Sequence, residues 1–347
     1  MKMKPLVASI VLFTSCLVGL AAEVPEQKFA SLGDFRLENG QEIKNLKLGY
    51  RTAGDLDAAK SNAVLFPTWF TGTTKDLVGF VGPGKLVDSS KYFVILVDSL
   101  GDGISSSPSN SREQPHMRFP QINMRDMVRA EYGLVVKHLK VPHLQAVIGI
   151  SMGGMETFQW VVSYPDFMDK AIPIVGSPQL TSYDLLLWTA ELHAFETDPA
   201  WNGGEYSSPP PAGAATAADI FALAQTTPQD RVHHIPPRDF PQYLEKNRQD
   251  LMRSFDANDQ ICQLQAMMAD DVSAPFGGSM EKAAATVRAK VLVIASLRDH
   301  VVNPTPALDF ARLIFAPTLE LDSDCGHMGF LCELDKVSQT VARFLEE

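Results

Sequence analysis

The feature that most constrains the fold is a serine that stands between two glycines at a strand-to-helix junction. Gly149-Ile150-Ser151-Met152-Gly153 fits the pattern G-x-S-x-G. The apolar run 144–150 leads into it, and residues 152–162 follow with apolar side chains along one helical face. So tight a turn holds its serine in a strained backbone conformation, and side chains at the glycine positions would collide. The pattern predicts that Ser151 is a nucleophile, with an inert serine in a glycine-rich turn as the alternative.

Two further residues have the types and the chain order that a serine nucleophile requires. A serine hydroxyl is a poor nucleophile until a base takes its proton, and the base is in turn oriented by an acid. Asp299 and His327 each follow a short apolar run predicted to be a strand of the sheet, in the order serine, acid, base. We therefore predict a triad of Ser151, Asp299 and His327. The alternatives are an Asp299 that pairs with Arg298 and an exposed loop histidine.

The negative charge that develops on a substrate oxygen needs two backbone N–H donors, called an oxyanion hole. Met152, the residue after the serine, is predicted to supply one. The second donor is expected in the loop 67–72, which follows the first parallel strand. We assign it to Phe70 rather than Trp69 and place Trp69 in the substrate pocket.

Strands and helices alternate along most of the chain, and the apolar spacing predicts, among others, a strand over 291–295 and helices over 123–139 and 331–344. Asn39-Gly40 predicts an N-terminal hairpin, and short continuous apolar runs then predict strands that are covered on both faces. This rhythm predicts an α/β protein with a mostly parallel, doubly wound sheet. The serine turn and the order of the triad residues predict that it has the α/β-hydrolase fold. Residues 23–180 and 286–347 would form the core. Between them, residues 181–285 read as helices and are predicted to be an inserted helical cap.

The N-terminus has the features of a secretory leader. Two lysines precede the uncharged residues 5–22, which end in Gly19-Leu20-Ala21-Ala22 before Glu23. A basic start, an apolar middle and a small-residue end predict a cleaved signal peptide over residues 1–22. The mature protein is then expected to be periplasmic or secreted, with no membrane association. The alternatives are an uncleaved anchor and a buried helix.

Charge and cysteine usage limit the partners. A formal net charge of −11 argues against nucleic acid as a ligand, and the spacing of Cys and His matches no structural zinc pattern. We therefore expect a small-molecule ester or acyl substrate, no metal and no cofactor. The mature chain keeps Cys262, Cys325 and Cys332. Export would permit a Cys325–Cys332 disulfide, but buried free thiols are the favoured expectation.

Several longer motifs resemble the homoserine O-acetyltransferase family of α/β-hydrolase-fold proteins, and they cover nearly the whole mature chain. The resemblance implies that the triad lies on Ser151, Asp299 and His327, and it suggests a homodimer that forms through the cap. The motifs that carry it are Gly82-Pro83-Gly84-Lys85, Arg125-Asp126-Met127-Val128-Arg129-Ala130, Ser151-Met152-Gly153-Gly154-Met155, Asp198-Pro199-Ala200-Trp201-Asn202-Gly203-Gly204 and Phe255-Asp256-Ala257-Asn258.

The resemblance is weaker at the substrate positions. Where the family has an aspartate after the base histidine, this chain has Met328. Ala218 and Gln225 align with the arginine and tyrosine that hold a carboxylate, and Thr68 replaces a histidine of the oxyanion loop. We therefore expect an exported hydrolase of neutral esters. An acyltransferase that uses acetyl-CoA is the alternative, and a non-catalytic binding protein is a third hypothesis.

Overall fold

A single sheet organises the structure, a computed structural model that describes residues 24–254 and 256–347. The predicted leader, residues 1–22, lies outside the described residues. The strands of the described chain are β1 Lys28–Arg36, β2 Glu42–Ala53, β3 Ala63–Pro67, β4 Phe93–Val97, β5 Leu144–Ile150, β6 Met168–Ile174, β7 Lys290–Val291, β8 Val293–Ser296 and β9 Thr318–Leu321.

The strands lie in the order β1-β2-β4-β3-β5-β6-β8-β9, and the short β7 pairs with β6. β1 and β2 form the predicted antiparallel hairpin, and β2 runs antiparallel to β4. The other pairs are parallel, from β3 with β4 to β8 with β9. The prediction of a mostly parallel, doubly wound sheet is therefore confirmed. The run expected as one strand over 291–295 forms two strands, β7 and β8, which both pair with β6.

Helices connect the strands on both faces of the sheet. The α-helices of the described residues are α1 Thr74–Leu77, α2 Met124–Gly133, α3 Met152–Ser163, α4 Ser182–Glu196, α5 Pro211–Gln225, α6 Pro228–His234, α7 Phe240–Ser254, α8 Ala257–Met268, α9 Met280–Ala284, α10 Thr305–Leu313, α11 Gly329–Cys332 and α12 Leu334–Glu346. No helix among residues 24–254 and 256–347 is long and apolar enough to cross a bilayer.

The core has one layer on each side of the sheet. On one side, Met127 of α2 and Phe158 of α3 pack with Phe310 of α10. On the other side, Val337 and Val341 of α12 pack on the alternate residues of the strands. All five residues of β3 are buried because both faces of the strand are covered. This arrangement places the carboxyl ends of the parallel strands at one edge, where ligands bind in folds of this type.

Helices α4–α9 occupy the interval between β6 and β7 in which the sequence predicts an inserted cap. α4, α5 and α8 pack together through Phe195, Ala217 and Ile261. Two predicted helices have different boundaries. The helix expected over 123–139 is α-helical only as far as Gly133, the last residue of α2, and then continues as a π-helical turn over 134–138. The helix expected over 331–344 is two helices, because Glu333 between them leaves the helical conformation, with φ −112° and ψ 30°.

The cysteines differ from the favoured expectation. Cys325 and Cys332 form a disulfide, so the expectation of free thiols at these positions is wrong. The helical turns over 326–332 bring the two Cα atoms to 6.6 Å, within the usual range for a disulfide. Cys262 is free and buried, as expected.

Candidate active site

The G-x-S-x-G segment forms the sharp turn between β5 and α3. Ser151 has φ 57° and ψ −117°, a sparsely populated conformation for a residue with a side chain. Its N–H donates to the carbonyl oxygen of Ile174 at 2.9 Å. A Cβ on Gly149 would lie 1.9 Å from the carbonyl oxygen of Gly153, and one on Gly153 would lie 2.7 Å from that of Pro67. The turn therefore requires glycine at both positions.

The three side chains of the predicted triad form one hydrogen-bonded chain. His327 Nε2 lies 2.9 Å from Ser151 Oγ, and His327 Nδ1 lies 2.6 Å from Asp299 Oδ2. The other carboxylate oxygen of Asp299 accepts the N–H groups of Val301 and Val302 at 2.8 and 2.9 Å. His327 is only 4% exposed and Asp299 6%. With Nδ1 protonated, the ring donates to Asp299 and its Nε2 accepts from the serine hydroxyl.

Neither structural alternative for the acid and the base is observed. Arg298 pairs with Asp322 at 2.6 Å and with Asp324, so Asp299 is left to His327. The histidine loop is also well anchored. Ser296 Oγ donates to the carbonyl oxygen of Gly326 at 2.5 Å. Together with the disulfide, this contact limits the positions that the imidazole can take.

The loop that follows β3 is held from two directions. Beneath it, the N–H of Ser99 donates to Thr68 Oγ1 at 3.1 Å, and Ser99 Oγ donates to Glu156 Oε1 at 2.8 Å. From the cap, Gln263 Oε1 accepts the N–H of Thr71 at 3.1 Å. Thr68 thus supports the loop from inside the core.

Two predicted oxyanion residues occupy suitable parts of the chain. Met152 is the first residue of α3, where a backbone N–H has no partner within the helix. Phe70 and Trp69 lie in the loop and both line the cavity above Ser151. The assignment of the second donor to Phe70 stays a prediction.

Two buried carboxyl groups lie close together, Glu131 on α2 and Glu156 on α3. Glu131 Oε2 accepts from Trp160 Nε1 at 2.6 Å, while Glu156 is held by Ser99. Burial raises the pKa of Glu131 above its ordinary value. Burial, and then repulsion from Glu131, raise the pKa of Glu156 well above its ordinary value. At neutral pH the pair therefore carries at least one proton and supports the loop with little charge.

A cavity of about 400 Å³ opens above Ser151, a volume suited to a small ligand. The predicted pocket residues Trp69 and Met328 both line it, whereas Ala218 is buried elsewhere in the cap. Gln225 Nε2 lies 3.5 Å from Met328 Sδ. The other described residues of the wall are Phe70, Thr71, Phe80, Ile150, Ser151, Trp188, Glu191, Phe221, Asn247, Asp250, Met267, Val301, His327, Phe330 and Leu331.

Sequence reasoning did not identify Glu191 of α4, a polar residue of this wall. Its side chain is 3% exposed, and its Oε1 has no hydrogen-bond partner among the described residues. Burial raises its pKa to about 8. The pattern that could have identified it is helical: Trp188 precedes it by three residues and Phe195 follows it by four, which places an acid on an apolar face.

This geometry agrees with the proteins to which the chain is similar. A family model described as the alpha/beta hydrolase fold matches residues 64–333. The chain belongs to the α/β-hydrolase fold family. A probable esterase of Corynebacterium glutamicum is 31% identical over 310 residues, which is 86% of this chain and 89% of that protein. The solved structure of an acetyl esterase, MekB, is 28% identical with a TM-score of 0.88, covering 93% of this chain and 98% of that one.

Acyltransferases are also among the relatives of this α/β-hydrolase-fold protein. A homoserine O-acetyltransferase of Thermobifida fusca is 31% identical over 356 residues, which is 90% of this chain and 91% of that protein. The resemblance to the homoserine O-acetyltransferase family is thus confirmed, with esterases beside it. The protein is an esterase-like enzyme of the α/β-hydrolase superfamily.

Proposed function

We propose that this protein is a serine hydrolase that cleaves a neutral carboxylic ester through an acyl-enzyme intermediate. The observation that carries the proposal is the hydrogen-bonded chain Ser151–His327–Asp299 at the floor of a small cavity. The described wall of that cavity is mostly apolar, and its ionisable side chains other than His327 are the acids Glu191 and Asp250. An uncharged ester can enter without losing the hydration of an ion, which is costly to remove.

The first half of the reaction forms the acyl-enzyme. His327 Nε2 takes the proton of Ser151 Oγ as the oxygen attacks the ester carbonyl carbon. Asp299 holds the Nδ1–H and stabilises the imidazolium. The N–H groups of Met152 and Phe70 are proposed to bind the oxyanion of the tetrahedral intermediate. His327 then gives its proton to the leaving alkoxide oxygen, and an alcohol departs.

The second half of the reaction uses the same groups with water as the nucleophile. His327 takes a proton from water, and the hydroxide oxygen attacks the acyl carbon on Ser151. Collapse of the intermediate returns the proton to Ser151 Oγ and releases a carboxylic acid. The products balance the substrates as ester plus water to acid plus alcohol, with no cofactor in the step.

Acyl transfer to an alcohol is the second candidate, and the acyltransferase relatives favour it. Both reactions share the acyl-enzyme and differ in what attacks it. A zwitterionic acceptor such as homoserine must shed water from its ammonium and its carboxylate. Met328 and Gln225 supply no charge to either group, and no described wall residue is a lysine or arginine that could pair with the carboxylate. An unpaired charge is strongly disfavoured in such a cavity. Hydrolysis is therefore the proposed reaction.

The test of the nucleophile is Ser151→Ala, with Ser163→Ala at the exposed end of the same helix as the control. Cleavage of short p-nitrophenyl esters should fall by about 10⁴-fold or more in the first variant and should stay unchanged in the second. A fluorophosphonate should label Ser151 alone in the native protein. Near-native cleavage by Ser151→Ala would refute the assignment, and the absence of labelling and of turnover would favour a binding protein.

The choice between hydrolysis and transfer is tested with acetyl-CoA and homoserine. The native protein should release little O-acetylhomoserine while it cleaves neutral esters. Met328→Asp should weaken ester cleavage without creating efficient transfer, because the cap offers no partner for the acceptor carboxylate at Ala218 or Gln225. Rapid acetylation of homoserine by the native protein would show that these pocket positions were misread.

We also propose that the protein is exported, as the pattern of residues 1–22 indicates. The Cys325–Cys332 disulfide supports this proposal, because disulfides persist mainly in oxidising compartments. The homodimer stays a prediction from the family resemblance.

A further inference from the structure

Glu191 is the unexplained polar group of the substrate cavity. It lies on α4, faces a cavity shared with Ser151 and is 3% exposed. Its Oε1 accepts no hydrogen bond from the described residues, although buried polar atoms are nearly always paired. The catalytic steps proposed above do not use it. A buried, unpaired carboxyl group beside a binding cavity is expected to find its partner in the ligand.

The surroundings determine which form of the carboxyl group is present. The described wall that Glu191 shares is mostly apolar and includes the side chains of Trp188, Phe221 and Met267. None of the wall residues whose side chains are described is a lysine or an arginine. The other titratable groups of the wall are Asp250 of α7, which contacts Lys246, and His327, which is committed to Asp299. Without a cation to pair with, a buried carboxyl group keeps its proton.

Resting on the proposed hydrolysis, we propose that Glu191, as a neutral carboxylic acid, donates a hydrogen bond to an uncharged oxygen on the non-reacting part of the ester. The preferred substrates are therefore esters that carry an ether, hydroxyl or carbonyl oxygen, rather than purely hydrocarbon esters. Burial raises the pKa of Glu191 to about 8, so most molecules hold this proton at neutral pH. An ether oxygen accepts hydrogen bonds and cannot donate them, which makes it a selective probe of the protonated form.

The test uses pairs of esters of equal length in which one CH₂ group becomes an ether oxygen. On the alcohol side, 2-methoxyethyl acetate is compared with butyl acetate. On the acyl side, ethyl 3-methoxypropanoate is compared with ethyl pentanoate. For one of these pairs, the ratio of kcat/KM for ether to hydrocarbon should fall about tenfold in Glu191→Leu, because the buried ether oxygen loses its donor. Glu196→Leu, an exposed position on the same helix, is the matched control.

Glu191→Gln tests whether Glu191 acts as a neutral hydrogen-bond donor or as a charged group. The amide keeps an N–H donor and has no proton to lose, so it should retain the preference for the ether ester. A third pair, 2-(dimethylamino)ethyl acetate and 3-methylbutyl acetate, tests the opposite possibility. If the native enzyme prefers the amine and Glu191→Gln abolishes that preference, Glu191 is an anionic site and the proposal is overturned. Ratios unchanged by Glu191→Leu for both ether pairs would also overturn it.

Failure of this proposal can be told apart from failure of the proposed hydrolysis. If all esters are cleaved and the ratios do not change, only the role of Glu191 is wrong. If no ester is cleaved, binding of 2-methoxyethyl acetate and butyl acetate is measured by calorimetry on Ser151→Ala and on Ser151→Ala with Glu191→Leu. The same loss of preference in binding supports the role of Glu191 without turnover, and equal preference in the two variants refutes it.

Discussion

The buried carboxyl group of Glu191 should make the stability of the protein depend on pH in a way that one substitution removes. In the unfolded chain the group titrates near its ordinary pKa of 4.5, and in the folded protein burial raises the pKa to about 8. Between these values the folded state holds a proton that the unfolded state has lost. The free energy of unfolding therefore falls as pH rises through this window.

The magnitude follows from the size of the shift. One pKa unit corresponds to about 1.4 kcal/mol, so the whole shift of Glu191 corresponds to about 5 kcal/mol. Of this, on the order of 3 kcal/mol falls between about pH 5 and about pH 8. Glu191→Gln has no proton to lose, so its stability relative to the native protein should rise by that amount over the same interval. Other buried acids act equally on both proteins and cancel in the difference.

Urea unfolding at a series of pH values, without reductant so that the disulfide is preserved, measures this difference. Glu196→Gln, whose side chain is exposed on the same helix, should follow the native curve at every pH. A constant offset between Glu191→Gln and the native protein would refute the reasoning, because it would mean that Glu191 titrates alike in the folded and unfolded states.

Three further predictions concern the elbow, the disulfide and the leader. Gly149→Ala should lower the free energy of unfolding in urea by about 3 kcal/mol or more, because its Cβ would lie 1.9 Å from a backbone oxygen. Gly79→Ala, whose Cβ would have nothing within 4 Å, should not lower it. Equal effects of the two substitutions would contradict the argument. Replacing both Cys325 and Cys332, which are seven residues apart, with serine should lower the free energy of unfolding by about 2 kcal/mol and lower Tm. An unchanged Tm would contradict this expectation. N-terminal sequencing of protein expressed with its leader should find a chain that begins near Glu23, and an intact initiator methionine would exclude cleavage.

Local patterns predicted the elements whose conformation depends on their own residues. The ends of β5 and the start of α3 were predicted to the residue, because the glycine pattern admits few conformations around Ser151. The order of acid and base followed from the sheet type. These inferences needed only neighbouring residues and the rules of parallel sheets.

Features that depend on contacts between distant segments were predicted less well. The disulfide was not the favoured expectation, because three cysteines leave the pairing open and the sequence does not show which side chains meet. Glu191 was missed because the helical pattern places an acid on an apolar face but does not show that this face lines the cavity. The assignment of the second oxyanion donor to Phe70 stays a prediction for the same reason.

The base loop and the cap share a contact that bears on attempts to redesign this enzyme. The N–H and the hydroxyl of Thr227, between α5 and α6, both donate to the carbonyl oxygen of Asp324, at 3.1 and 2.7 Å. His327 lies three residues after Asp324 in the chain. Exchanging the cap for that of a relative, to import its specificity, would therefore also remove one of the supports of the loop that carries His327, the proposed general base. Chimeras of this enzyme should keep the segment around Thr227 with the sheet, so that a new pocket is acquired without misaligning the imidazole.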